Sequence, residues 1–432
     1  MKATTVVAAL LLPWNITSSP LNPVTRPFTN TTTQGINTTH TILDTSTLTI
    51  DTFHDRTRND LGHWHGAGED LPIEFGHGYM RLYPSDPDHN FHTQLSSSTC
   101  ANLVSHRAGL LHIVFAGTPH FTVSLTQHNY ACDSKRSPYP ETWDSVEAGR
   151  YAVHAHHSDS RNEIFIPLTH FRINLSRVVS VAFHGFFTPT PLTLYKVEII
   201  PHDHHDRIAP PKLASGTLAL RCTRPNSIAF GIDDGQPQLA REVMRIIEEE
   251  GILVTFFVVG NGLRDPEANF SGVYAEMLRR GHQVALHSNS HPKMEALTEL
   301  DDIDNEITGS ISVLRDILGV ESRYFRPPFG TVGARMRQRL AAHIHDPVIV
   351  NWSVDVEDWL WAGTGTPERQ MEAFVRDLEK GGNLVVMHYL SPSTVLYFRE
   401  FIRFAKRAGI DIMRVDQCMQ DPTSPRYVRG YG

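Results

Sequence analysis

The sequence predicts an all-β sandwich over residues 43–200 followed by a parallel α/β unit over residues 218–420, and two observations carry that prediction. Up to about residue 200, short apolar runs alternate with period two and are punctuated by Pro, Gly, Asn and Asp, the pattern of half-buried strands. Beyond Leu218, strand-like runs alternate with helical stretches, the pattern of βα units whose strands pair in parallel. A Pro- and His-bearing linker over residues 201–217 separates the two regimes.

In the first regime the strands are Gly109–Phe115, Phe121–Leu125, Glu163–Leu168, Val178–Phe183 and Leu192–Ile200. Their spacing and the scarcity of helical periodicity argue a sandwich. In the second, strands Ile228–Ile232, Leu253–Val259, Gln283–His287, Tyr324–Arg326, Val348–Trp352, Leu384–His388 and Ile410–Met413 are expected. Helices Gln238–Glu250, Val273–Arg280, Asp301–Leu318, Ala334–Ala341, Glu368–Lys380 and Thr394–Ala408 lie between them. The parallel sheet they imply is open or closed into a barrel.

Ahead of both, Lys2, the apolar run Val6–Leu12 and the small residues Thr17–Ser19 read as a secretory signal over residues 1–19. The Thr/Asn-rich residues 20–42 read as flexible. Asn30, Asn37, Asn174 and Asn269 each open an N-glycosylation sequon. Four cysteines in a secreted chain imply two disulfides; Cys100–Cys132 with Cys222–Cys418 is the connectivity that keeps each pair inside one domain. A net charge of −8 leaves no basic footprint, which excludes nucleic acid as a partner. No apolar run approaches the ~18 residues of a membrane span. A monomeric, extracellular or wall-associated protein is expected.

The polar residues at the strand ends carry the chemistry. Barrel proteins collect reactive groups at the C-terminal ends of their strands. Asp233 and Asp234 follow the first strand, His287 closes the third, Arg326 ends the next, Asp355 follows Val350–Val354, and His388 ends Leu384–Met387. Consecutive side chains at a strand end point to opposite sides, so Asp233 and Asp234 can take different tasks, one on a metal and one on a proton.

Five motifs occur in order: Asp233-Asp234-Gly235, His287-Ser288 with His291, Arg326-Pro327-Pro328-Phe329, Asp355 with Asp358-Trp359, and Val386-Met387-His388. On these residues the region from Leu218 to about Val415 resembles the polysaccharide deacetylases of carbohydrate esterase family 4, the NodB homology domain. The resemblance implies a distorted (β/α) barrel in which Asp234, His287 and His291 hold one divalent metal, Zn²⁺ first and Co²⁺ or another ion as alternatives. Such a metal acidifies water and polarises an acetyl carbonyl. Asp233 would be the general base, held by Arg326, with a backbone N–H near Phe329 meeting the oxyanion. His388 would protonate the departing amine, with Asp355 setting its tautomer and raising its pKa. Phe329 and Trp359 would line the sugar pocket. The implied reaction is hydrolysis of N-acetyl groups on chitin or chitooligosaccharides. The segment from Ile166 to Phe186 resembles galactose-binding-like jelly rolls, which implies a carbohydrate-binding accessory role for residues 43–200.

Three positions depart from the family pattern: Gln236 replaces the usual Pro, Gly231-Ile232 the common Thr-Phe, and Tyr389 a frequent Asp. They put the preferred polymer in question. The competing readings are an O-deacetylase such as an acetylxylan esterase, a non-catalytic glycan-binding wall protein, and a relative acting on small cyclic amides.

Overall fold

Strand Leu110–Ala116 shows why the first region layers: Leu111, Ile113 and Phe115 are fully buried, while His112 and Val114 between them keep some exposure. The structure, a computed structural model, describes residues 46–96, 98–154, 161–202 and 209–424. The signal-like segment, the Thr/Asn-rich stretch with Asn30 and Asn37, and linker residues 203–208 lie outside the described residues.

Seven strands form one antiparallel sheet and five form another. Ile113, Phe115, Ile164 and Val197 of the larger sheet pack against Phe91, Val123, Leu125 and Phe183 of the smaller one. Leu192–Ile200 forms over the predicted span, and the other four predicted strands form within two residues of theirs. Shorter strands join them, among them His65–Gly68, Asn90–Gln94 and Thr142–Glu147. The exposed side chains of Asn174 and Asn269 leave both sequons accessible. Cys100 pairs with Cys132 and Cys222 with Cys418, as expected.

The second region is a nine-stranded sheet in which every pairing is parallel. Helix Pro237–Glu250 illustrates its connections. Pro237 opens it, Gly251 ends it at φ 61°, and Ala240, Val243, Ile246 and Ile247 bury one face on the sheet. Chain length shows that the sheet curls. Strands Val348–Val350 and Val354–Asp355 stand six strand positions apart in the sheet order. Flat, six positions would separate them by about 29 Å, whereas the chain from Val350 to Val354 reaches at most about 14 Å. Asn351 N–H donates to Ala219 O (2.9 Å) and Ser353 N–H to Leu384 O (2.9 Å), so this segment bridges the two edges. The result is an irregular barrel, with its strand C-termini on one face.

The described residues of the two regions pack as one compact unit. Fully buried Arg337 donates to the carbonyls of Trp143, Ser215 and Gly216, and lies 3.3 Å from the Asp144 carboxylate. Lys212 completes that buried cluster at 3.1 Å from Asp144. Arg335 stacks over Phe187, 4.0 Å from its ring centre.

Candidate active site

Strand Ser227–Gly235 is buried until its end, where its register against Leu384–Tyr389 shifts between Asp233 and Gly235. Asp234 there adopts φ 42°. The bulge sends the two carboxylates apart. Asp233 is 2% exposed, and its Oδ1 accepts from Arg326 Nη1 at 2.7 Å. Asp234 Oδ2 instead lies 3.3 Å from His291 Nε2.

Arg326 has no exposed surface and fills the barrel interior. It donates to the carbonyls of Val350, Gly231 and Val385, and its guanidinium sits 4.2 Å from the Phe257 ring centre. A side chain at Gly231 would meet the guanidinium at 2.4 Å, so glycine at that departure from the family pattern makes room for Arg326. Burial raises the Asp233 pKa, opposed by the charge of Arg326 and more weakly by His388.

His287 follows strand Gln283–Leu286 and is 1% exposed. Its Nδ1 bonds Arg326 O at 2.7 Å, which fixes the ring with Nε2 turned toward the site, 3.9 Å from Asp233 Oδ2. Burial pulls its pKa down to about 4, so the ring is neutral and its lone pair free to ligate. Ser288 Oγ accepts from His291 N–H, while Glu306 accepts from the N–H groups of Asn289 and Ser290, closing the loop between the histidines. Ligand atoms of Asp234, His287 and His291 all lie within 4.8 Å of one another. Two imidazoles and one carboxylate, with a bond fixing one ring, fit a divalent cation. Strain gathers here: Asp234, Ser288, His291 and Phe329 all have φ between 42° and 68°.

His388 lies beside Asp233 in the neighbouring strand. Its ring Nδ1 is 2.9 Å from Asp358 Oδ1, and its backbone N–H donates to Asp358 Oδ2 at 2.7 Å. The carboxylate that orients His388 is therefore Asp358, not Asp355 as the sequence reading had it. The cause is local. Asp355 turns back to accept from Glu357 N–H at 2.7 Å and faces Trp359 Nε1 at 3.5 Å, while the helical turn Asp358–Trp361 aims Asp358 at the strand end. Burial lowers the His388 pKa, but the Asp358 bond and charge, with Asp233 and Asp234, outweigh it and raise the pKa to about 9. Burial pushes Asp355 up to about 6.

Two exposed aromatics stand at this face. Phe329 is 57% exposed with its ring 4.8 Å from that of His291, and Trp359 is 68% exposed. Tyr389 is instead fully buried over Gly235, its hydroxyl 2.8 Å from that of Tyr274, and so belongs to the core. Sequence reasoning missed the sandwich's share in the rim. Asp86 and Asp88 both bind Lys293, two residues past His291, at 2.8 and 2.7 Å, and Asp88 also accepts from Thr331, two residues past Phe329.

Residues 220–348 match the family model for polysaccharide deacetylase. A chitin deacetylase of Pestalotiopsis sp is 27% identical over 216 residues, covering 50% of this chain and 71% of that protein. A peptidoglycan-N-acetylglucosamine deacetylase of Listeria monocytogenes is 26% identical over 192 residues, 44% of this chain and 38% of the relative. The solved structure of the Colletotrichum lindemuthianum chitin deacetylase superposes with a TM-score of 0.45 at 24% identity, covering 50% of this chain and 96% of that one.

Proposed function

From a chain whose residues 220–348 carry a polysaccharide deacetylase domain, we propose a secreted hydrolase that removes N-acetyl groups from N-acetylglucosamine polymers, chitin or chitooligosaccharides, and releases acetate. The observation that carries this reading is one constellation: the Asp234–His287–His291 cluster beside the Asp233–Arg326 pair and the His388–Asp358 pair.

Asp234, His287 and His291 would hold the divalent metal, Zn²⁺ first. When bound, that ion supplies Lewis acidity toward an acetyl carbonyl and toward water. Asp233 takes a proton from the attacking water. Its carboxylate is anchored by Arg326, and burial raises its basicity. His388, protonated at neutral pH, gives its proton to the departing nitrogen. That protonation favours an amide over an ester, because an amine leaves far less readily than an alkoxide without a proton donor. Phe329 and Trp359 offer apolar faces to a sugar ring. The two disulfides support an extracellular location, and no helix among the described residues is long and apolar enough to cross a membrane. The sandwich is read as a glycan-binding accessory region of galactose-binding-like type.

The test is acetate release from chitin oligomers and from acetylated xylan, with and without chelator. Chelator-sensitive release from the chitin oligomers is expected, with Asp233→Asn keeping metal but losing most turnover and His287→Ala losing both. Release from xylan alone would replace this reading with an O-deacetylase.

A further inference from the structure

The smaller sheet of the sandwich turns a polar face toward the barrel. Phe91, Val123, Leu125 and Phe183 point into the sandwich core, so Asn90, His92, Ser124, Thr126 and His184 line the other side. Where the barrel meets this face, Ala334 N–H donates to Thr122 Oγ1 at 3.0 Å. Elsewhere the face stands off from the barrel. A cavity of about 380 Å³ separates it from the loop carrying Phe329, Gly330 and Thr331. That is the size of a small-ligand pocket.

The walls are built for an uncharged, hydroxyl-rich ring. His92 Nδ1 meets Ser180 Oγ at 3.2 Å, and His184 Nε2 meets Ser124 Oγ at 2.6 Å. Each imidazole is thus oriented through one nitrogen, leaving the other to donate to or accept from a ligand. Burial lowers the two pKa values to about 4 and about 3, so neither ring carries charge at neutral pH. The Trp143 ring also lines the cavity, and its indole N–H is buried without an acceptor. Glu69 and Asp88 among the lining residues disfavour an anionic occupant. The barrel-side wall is Phe329, whose ring reaches His291 of the candidate metal cluster. A sugar in the cavity would therefore belong to a chain that continues into the catalytic centre.

We propose that this cavity is a further sugar subsite, in which the sandwich holds an N-acetylglucosamine unit of the same neutral chain presented to Asp234, His287 and His291. The proposal rests on the deacetylase reading for its substrate class. It makes the sandwich part of the cleft and favours long chains over short ones.

The full chain, His92→Ala and a cavity-filling Ala182→Phe are compared on chitohexaose and di-N-acetylchitobiose, with calorimetric binding of chitohexaose measured beside acetate release. In both variants, chitohexaose affinity and the hexamer-to-dimer ratio of kcat/KM are expected to fall about tenfold, the loss of one or two hydrogen bonds to a sugar. The fall in the ratio should come through KM. His92→Ala decides the matter if Ala182→Phe fails to fold. An unchanged ratio with acetate still released overturns the subsite and leaves the deacetylase reading standing. Binding that weakens in the variants, with no acetate released even by the unaltered chain, supports the subsite and sinks the deacetylase reading. No chitohexaose binding by the unaltered chain overturns the subsite.

Discussion

Replacing Asp358 with Asn should move the alkaline limb of the pH–rate profile by more than two units. His388 touches Asp358 through both its ring and its backbone N–H. Burial alone would hold the His388 pKa below its ordinary value, and Asp358 is the largest influence in the opposite direction, carrying the pKa to about 9. An amide oxygen keeps a hydrogen bond but not the charge, so the ring should fall back toward the ordinary ~6.5 of a histidine. At pH 8 the protonated fraction then drops from about nine-tenths to about one-thirtieth, a loss of about 30-fold in turnover where His388 acts as the acid. At pH 6 the two enzymes should differ by less than about twofold. Initial rates of acetate release from chitohexaose between pH 5 and 10 provide the assay. Asp355→Asn serves as the comparison, because Asp355 faces Trp359 rather than the imidazole, and it should shift the alkaline limb far less. An alkaline limb that stays in place for Asp358→Asn, or moves equally for Asp355→Asn, would refute the assignment.

Arg326→Met should cost about 3–5 kcal/mol in urea unfolding, since it strands a buried carboxylate. The carbonyls of Gly231, Val350 and Val385 would lose their donor as well, so a loss below about 1 kcal/mol would contradict the packing described. Glu295 has no exposed surface; burial pushes its pKa up to about 7 against the pull of the Met336 N–H bond. Because the folded value lies above the unfolded one, its contribution is complete below about pH 4.5 and is lost as pH rises through about 7, by up to about 3 kcal/mol. Glu295→Gln should flatten the dependence of the urea midpoint on pH between 5 and 8; an unaltered slope would show that another group sets it. Exhaustive chelation should abolish acetate release and Zn²⁺ restore it, and restored activity in His287→Ala would remove His287 from the ligand set.

Much of the candidate site was legible because Asp233, Asp234, His287, Arg326 and His388 sit at strand ends, where local pattern suffices. His287 after Gln283–Leu286, and His388 within Leu384–Tyr389, follow apolar runs that can hardly be anything but buried strands. The error at Asp355 has the same origin. Sequence spacing alone does not decide between Asp355 and Asp358 as the partner of His388. The choice between them is made by a helical turn of four residues, Asp358–Trp361, too short to leave a periodic signal. The missed strands of the sandwich are likewise short: His65–Gly68 spans four residues and carries two glycines, so alternation has no room to show.

What the sequence could not convey is that the sandwich and the barrel share the rim of the site. Lys293 and Asp86 are 207 residues apart, Thr331 and Asp88 243. Such pairs leave no local pattern, and a lone Asp or Lys in a loop reads as solvated surface. Together they tie one sandwich loop to the segments that follow His291 and Phe329, two residues whose backbones are held at positive φ. Strained backbone persists only where its surroundings over-determine it. On that argument the sandwich helps hold the His291 and Phe329 loops in place, and residues 218–420 alone would lack part of what keeps the site in shape.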